Sequence, residues 1–371
     1  MPSPPHFVHG CNYPWSTDGK TVFYGLDFGG NVWGSHLGVS TRRAAVERDF
    51  AAMAQLGFTV ARWFVFCDGR SGIVFDDGGV PVGLDSHFFS DLDTALEVAR
   101  GVDMALCLVL LDHRWMFRGL TDVMTDATSG TLLQASLPEG RARVLLNPSS
   151  QDRLFDRVLA PIVLRYGSEG VRADLAPAVF AYELINEPDF IIEEWEQDLS
   201  RSVPLPIRFA TLGSLVTRLS ELVHRHSSAM TTMAAARLRN LWAWDDDALG
   251  LDFLQVHSYP DQLHPLSDED IFGREARSLG CSRPVILGEF PGNGPVRHPP
   301  WASPPEWTLG DYLDFAVRAG FAGAWPWSFS GTDDYGPLPG APLQAFARAR
   351  RQIVNVRSDS DGDWTGQSER S

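Results

Sequence analysis

Residues 182–188 read YELINEP, an apolar run that closes on Asn186, Glu187 and Pro188, and residues 285–290 read VILGEF, which closes on Glu289. Two carboxyl groups facing one another across a cleft are the equipment for cleaving a glycosidic bond. One protonates the departing oxygen, and the other either attacks the anomeric carbon or activates a water. Glu183 competes with Glu187 because the two share strand parity. Four residues back, however, it lies ~13 Å deeper at ~3.3 Å per residue. That depth predicts a buried structural acid, paired with Arg62 or another cation.

Whether Glu187 and Glu289 face one another depends on the elements that carry them. Eight strand-like runs follow in order: FVHGCNY, FTVARWFVF, DMALCLVLL, VFAYELIN, AMTTMAAA, LDFLQVHSY, PVILGEF and FAGAWPWSF. Between most of them lie segments of helical period, such as STRRAAVERDFAAMAQLG, FFSDLDTALEVARG, PSSQDRLFDRVLAPIVLRYG, IRFATLGSLVTRLSELVHRH, DEDIFGREARSLG and TLGDYLDFAVRAG, and APLQAFARARRQIV follows the last. Several open on Ser, Thr or Asp and end in Gly, as helix caps require. Strands alternating with helices predict a parallel sheet, and the count predicts an α/β fold consisting of a single closed (β/α)8 TIM barrel. An open doubly wound sheet is the alternative, weakened because no Gly-rich phosphate loop follows the first strand. The barrel is expected over 1–356, with 357–371, RSDSDGDWTGQSERS, a polar disordered tail. The stretches at 113–150 and 290–307 are too long for minimal connections and predict long βα loops over the active-site face.

In such a barrel the reactive groups sit at the C-terminal ends of the strands. Arg62 lies on the second strand, Asp112 and His113 close the third, and Asn186 and Glu187 close the fourth. His257 and Tyr259 share one face of the sixth, Glu289 closes the seventh, and Trp325 and Trp327 share one face of the eighth. Any one of these is an ordinary polar strand end. Together on one rim they predict a site.

Composition narrows the ligand. The chain has 371 residues, 44% hydrophobic, and a formal net charge of -16. That charge disfavours nucleic acid, anionic membranes and polyanionic substrates, but costs a neutral substrate nothing. Some of the 12 Trp stand in polar, turn-rich segments, where an indole forms a flat apolar floor. Cys11, Cys67, Cys107 and Cys281 show neither zinc spacing nor a disulfide framework, so free thiols are expected. No metal or other cofactor is called for. No apolar stretch reaches the ~18 residues of a membrane span, and no signal peptide is visible. The expectation is a cytoplasmic monomer or weak oligomer, or a secreted one if an export signal was removed.

ELINEP followed about a hundred residues later by VILGEFPG resembles the retaining β-glycoside hydrolases of clan A, most of all glycoside hydrolase family 5, the cellulase and β-mannanase family. LGFTVARWFVF resembles that family's second strand, LDFLQVHSYPDQ its sixth and AWPWSFSG its eighth. The resemblance runs over about residues 7–350. It implies that Glu187 is the general acid/base and Glu289 the nucleophile, with Asn186 on the substrate 2-hydroxyl. It further implies that Tyr259 and Arg62 hydrogen-bond Glu289, that His257 and His113 line the same subsite, and that Trp327, or less readily Trp325, is the stacking floor. The implied partner is a neutral β-linked oligo- or polysaccharide. LDHRW is closer to the cellulase type and VHSYPD to the mannanase type, so β-glucan and β-mannan both stay open, as do endo and exo action. A carbohydrate-binding barrel without turnover is the alternative. A Schiff-base enzyme is disfavoured because the single lysine, Lys20, lies in a loop.

Overall fold

The computed structural model describes residues 7–117, 120–125, 132–137, 141–195, 205–259, 271, 273–293, 296–297, 306–331 and 337–348. All eight expected strands form: β1 (Val8–Asn12), β2 (Val60–Phe64), β3 (Ala105–Asp112), β4 (Val179–Asn186), β5 (Met230–Ala235), β6 (Phe253–His257), β7 (Val285–Glu289) and β8 (Gly323–Ala324). Each pairs in parallel with its neighbours in sequence, and β8 closes back onto β1. Such strands are covered on both faces, which is why they read as nearly continuous apolar runs instead of alternating ones.

Successive side chains still point to opposite faces. One set, including Cys11, Trp63, Leu106, Leu108, Tyr182, Leu184, Leu254 and Leu287, packs outward against helical residues such as Phe50, Met53, Leu92, Leu96 and Leu215. The other set fills the barrel. Its floor takes one side chain from each strand position: Val8, Val60, Cys107, Ala181, Met230, Phe253, Ile286 and, just past β8, Trp325. Trp325 is fully buried. A Cβ on Gly10 would stand 2.6 Å from its ring atoms Cδ1 and Nε1, so the β1 backbone leaves room for the indole only by carrying glycine there. Above the floor the lining turns polar, with Arg62, Glu183, Thr232 and Gln255 all buried.

Helices follow as expected over Arg43–Gln55, Phe88–Arg100, Phe209–His226 and Leu309–Arg318. The last opens on a capping box in which Thr308 and Asp311 satisfy each other's backbone N–H. The 148–167 segment is helical from Pro148 to Arg165 but is interrupted by one π turn at Phe155–Leu159. DEDIFGREARSLG differs from expectation: its described residues form only a short 3-10 turn at Ala276–Leu279. The long connection after β3 is partly ordered by its own pairing, an antiparallel hairpin of Leu120–Thr125 with Leu132–Leu137. Residues 357–371, expected as a tail, lie outside the described residues. All four cysteines are free, Cys11, Cys67 and Cys107 buried and Cys281 half-buried. No described helix is long and apolar enough to cross a membrane.

Trp325 was expected in the substrate cleft, and its position at the barrel floor corrects that reading. Replacing it with Ala should cost ~3–5 kcal/mol of stability, the range for emptying a buried aromatic site. Urea denaturation checks this, and an unchanged midpoint would contradict its role as a floor residue.

Candidate active site

The site is built around Arg62, which β2 aims into the barrel and which has no exposed side-chain surface. A guanidinium has five N–H donors, and all five are used. Nε and Nη2 donate to the two oxygens of Glu183 at 2.8 and 2.6 Å. Nη1 donates to Glu289 Oε1 at 2.6 Å and to Asn12 Oδ1 at 3.0 Å. The remaining Nη2 hydrogen reaches Asn186 Oδ1 at 2.7 Å. Glu183 is the buried structural acid that its depth predicted, and Gln255 Nε2 donates to it as well, at 2.8 Å. Burial opposes the charge on Arg62, yet Glu183 and Glu289 together raise its proton affinity and keep it cationic.

Glu289 stands on this arginine at the end of β7, with Tyr259 Oη donating to its other oxygen at 2.8 Å. Burial pushes its carboxyl above the ordinary glutamate range and the Glu187 charge adds to that. His257, Arg62 and the Tyr259 hydroxyl pull the other way. Glu187 sits one residue past β4, more open to solvent, with its side chain 17% exposed against 6% for Glu289. His257 Nδ1 lies 2.9 Å from Glu187 Oε1 and 3.5 Å from Glu289 Oε1, between the two acids. One carboxylate oxygen of each glutamate and this nitrogen all lie within 4.8 Å of one another. Burial pushes the imidazole down to about 4, so at neutral pH the ring is uncharged. It therefore contacts Glu187 as an uncharged partner. Among the described residues this is the one cluster with the donor atoms to hold a cation. Arg62 already supplies positive charge there.

Asn186 is locked on both sides. Its Oδ1 accepts from Arg62, and one Nδ2 hydrogen goes to Asp112 Oδ2 at 2.9 Å, leaving the second amide hydrogen for a ligand. His113 packs between Phe117 and Phe190, with Nδ1 3.9 Å from Glu187 Oε2. Trp327 is half-buried at the rim, edge-on to Trp15 at 5.9 Å and to Phe64 at 6.1 Å between centroids.

Glu187, Glu289, Asn186, His113, His257, Tyr259 and Arg62 therefore converge, while Trp325 lies below them. Two further expectations change. Arg62, placed on the site rim as a candidate substrate-binding residue as well as a partner of Glu289, makes the Glu289 contact, but with every donor spent and no surface it has nothing to offer a ligand. The His257 side chain is likewise fully buried, so it touches the acids and not a substrate. Asn12 was missed. Its Nδ2 ties the carbonyls of Gly288 and Trp325 at 2.8 and 2.9 Å, and its Oδ1 receives Arg62. A polar residue closing the first strand was the available signal.

No family model matches the chain. It is similar to known proteins nonetheless. It is 26% identical over 269 residues to mannan endo-1,4-beta-mannosidase 2 of Arabidopsis thaliana, covering 69% of this chain and 59% of that one. It is 21% identical over 355 residues to a mannan endo-1,4-beta-mannosidase of Mytilus edulis, covering 87% and 83%. The solved endo-1,4-beta-mannanase of Eisenia fetida superposes with a TM-score of 0.66 at 20% identity, covering 93% of this chain and 91% of that one. The barrel is the fold this chain shares with the Eisenia protein. The glycoside-hydrolase resemblance read from the strand motifs is borne out in these relatives.

The Tyr259 hydroxyl donates to Glu289 and holds its proton affinity down, so removing it takes away a contact that favours the charged form. Tyr259→Phe should therefore move the Glu289 titration further up in pH, as read by carbon NMR of labelled glutamate carboxyls. An unmoved or lowered titration would mean that the 2.8 Å contact does not stabilise the carboxylate.

Proposed function

We propose that this chain is a retaining β-glycoside hydrolase that cleaves a neutral β-mannan-type polysaccharide, with Glu187 as general acid/base and Glu289 as nucleophile. The observation that carries the proposal is the carboxylate spacing. An oxygen of each glutamate lies within 4.8 Å of the other. Inverting enzymes hold their carboxyls ~6.5–9.5 Å apart to admit a water, and retaining ones ~5–5.5 Å. The close approach of the two carboxylates supports the retaining reading, in which the second carboxylate itself attacks.

The surroundings suit those roles. Arg62 and Tyr259 donate to both oxygens of Glu289, which orients it and favours the ionised form a nucleophile needs against the cost of burial. Glu187, the more open acid, can reach the departing oxygen and later a water from solvent. As the sugar flattens toward an oxocarbenium ion, the free amide hydrogen of Asn186 is placed to bind the 2-hydroxyl, a contact that strengthens in the transition state. Trp327 gives the ring an apolar face at the rim. The mannan substrate rests on the relatives, since the Arabidopsis and Mytilus proteins carry that activity in their names. The chain spans only 59% of the length of the Arabidopsis relative.

Glu289→Ala should lose nearly all turnover of β-mannan oligomers. Added azide should restore part of it as a glycosyl azide of inverted configuration. Proton NMR of wild-type product, recorded before mutarotation, should show the β-anomer first. First-formed α-anomer would sink the double displacement, and Glu289→Ala retaining more than a few per cent of activity without azide would sink the nucleophile assignment.

A further inference from the structure

Two residues beyond Glu187 the chain buries another carboxylate, one that the proposed reaction does not use. Asp189 is 1% exposed. Its Oδ2 accepts the Ala236 backbone N–H at 2.8 Å and its Oδ1 accepts Asn240 Nδ2 at 2.7 Å. Both partners belong to the connection after β5, Ala236 immediately past the strand and Asn240 in the 3-10 turn Leu238–Asn240. Burial, with the Glu187 charge adding to it, pushes the Asp189 carboxyl up to about 6. An apolar residue would avoid that cost; what the carboxylate supplies in return is its two hydrogen bonds.

What those contacts hold is a strained turn. Glu187 has φ 47° and ψ 53°, the left-handed region that a residue with a Cβ occupies at a cost of ~1–3 kcal/mol and only where its surroundings over-determine it. Upstream, Asn186 is fixed by Arg62 and Asp112. Downstream, Pro188 opens the short 3-10 turn Pro188–Phe190, and Asp189 ties that turn to the neighbouring connection.

We propose that Asp189 is a positioning residue for Glu187: its buried carboxylate clamps the left-handed turn to the β5 connection and so fixes the acid/base opposite Glu289. The inference rests on the acid/base assignment of Glu187. Losing the clamp displaces the proton donor, and a misplacement near 1 Å can cost ~10²-fold in rate. The loss should appear where protonation of the leaving group matters and fade where it does not.

The test compares kcat/KM on a mannan oligomer and on an activated aryl glycoside of the same sugar for wild type, Glu187→Gln, Asp189→Ala, Asn240→Ala and Asp189→Asn. Asp189→Ala should fall ~10²-fold on the oligomer but stay within a few-fold of wild type on the aryl substrate. Asn240→Ala, which removes one of the two contacts, should show the same pattern more weakly and serves if Asp189→Ala does not fold. Asp189→Asn should recover most of the loss, because its oxygen can accept from Ala236 while Asn240 turns its amide to receive the new N–H. Equal losses on both substrates, or wild-type rates on both, would overturn the inference alone. If Glu187→Gln itself showed no leaving-group dependence, the acid/base assignment would fall, and the clamp's purpose with it.

Discussion

Everything at the mouth of this barrel is organised by one buried cation. Taking a guanidinium out of water costs several kcal/mol unless its charge and all its donors are answered. Arg62 meets that condition through five hydrogen bonds to four side chains drawn from β1, β4 and β7. Glu183 neutralises it from below in the planar two-point geometry that only arginine offers. Its remaining hydrogens then orient Asn12, Asn186 and Glu289. Three strands are thereby held in register at the height where chemistry would occur, and each of those groups has one orientation available.

The same network separates two residues that are chemically identical. Glu289 is buried and answered by Arg62 and Tyr259, whereas Glu187 is more open and leans on a neutral imidazole. Pairs of carboxyls whose environments differ in this way divide into acid and base roles. The cost falls on the backbone. Glu187 sits in left-handed φ/ψ space, and the turn is kept there by the locked amide of Asn186 before it and the Asp189 contacts after it.

Below this layer the barrel is an apolar plug, and on β2, β4 and β6 the change from plug to polar network occurs over two residues. Val60 lies on the floor and Arg62 above it. Ala181 lies on the floor and Glu183 above it, and Phe253 is followed by Gln255. The dry floor removes water from beneath the ion pairs, which strengthens them. The protein's net charge of -16 leaves the rim suited to an uncharged ligand.

The sequence by itself determined the repeating strand and helix order, because hydrophobic period is a local property and the closed ring follows from the count. It also determined which residues end the strands, and hence that Glu187 and Glu289 share a rim and that Glu183, four residues deeper, is a buried acid in need of a cation; the structure supplied Arg62 as that cation. Strand parity placed Trp325 and Trp327 on one face, but a step of two residues is also one layer of the barrel. Only packing against Gly10 and Phe253 showed that Trp325 is floor and Trp327 rim. The tertiary structure alone decided that Arg62 has no donor left for a ligand and that His257 stands between the two acids. It alone revealed that Asp189 reaches across to the β5 connection. Each of these is a contact between segments separated by tens of residues or more, and a hydrogen-bond count can be closed only when every partner has been brought to its place.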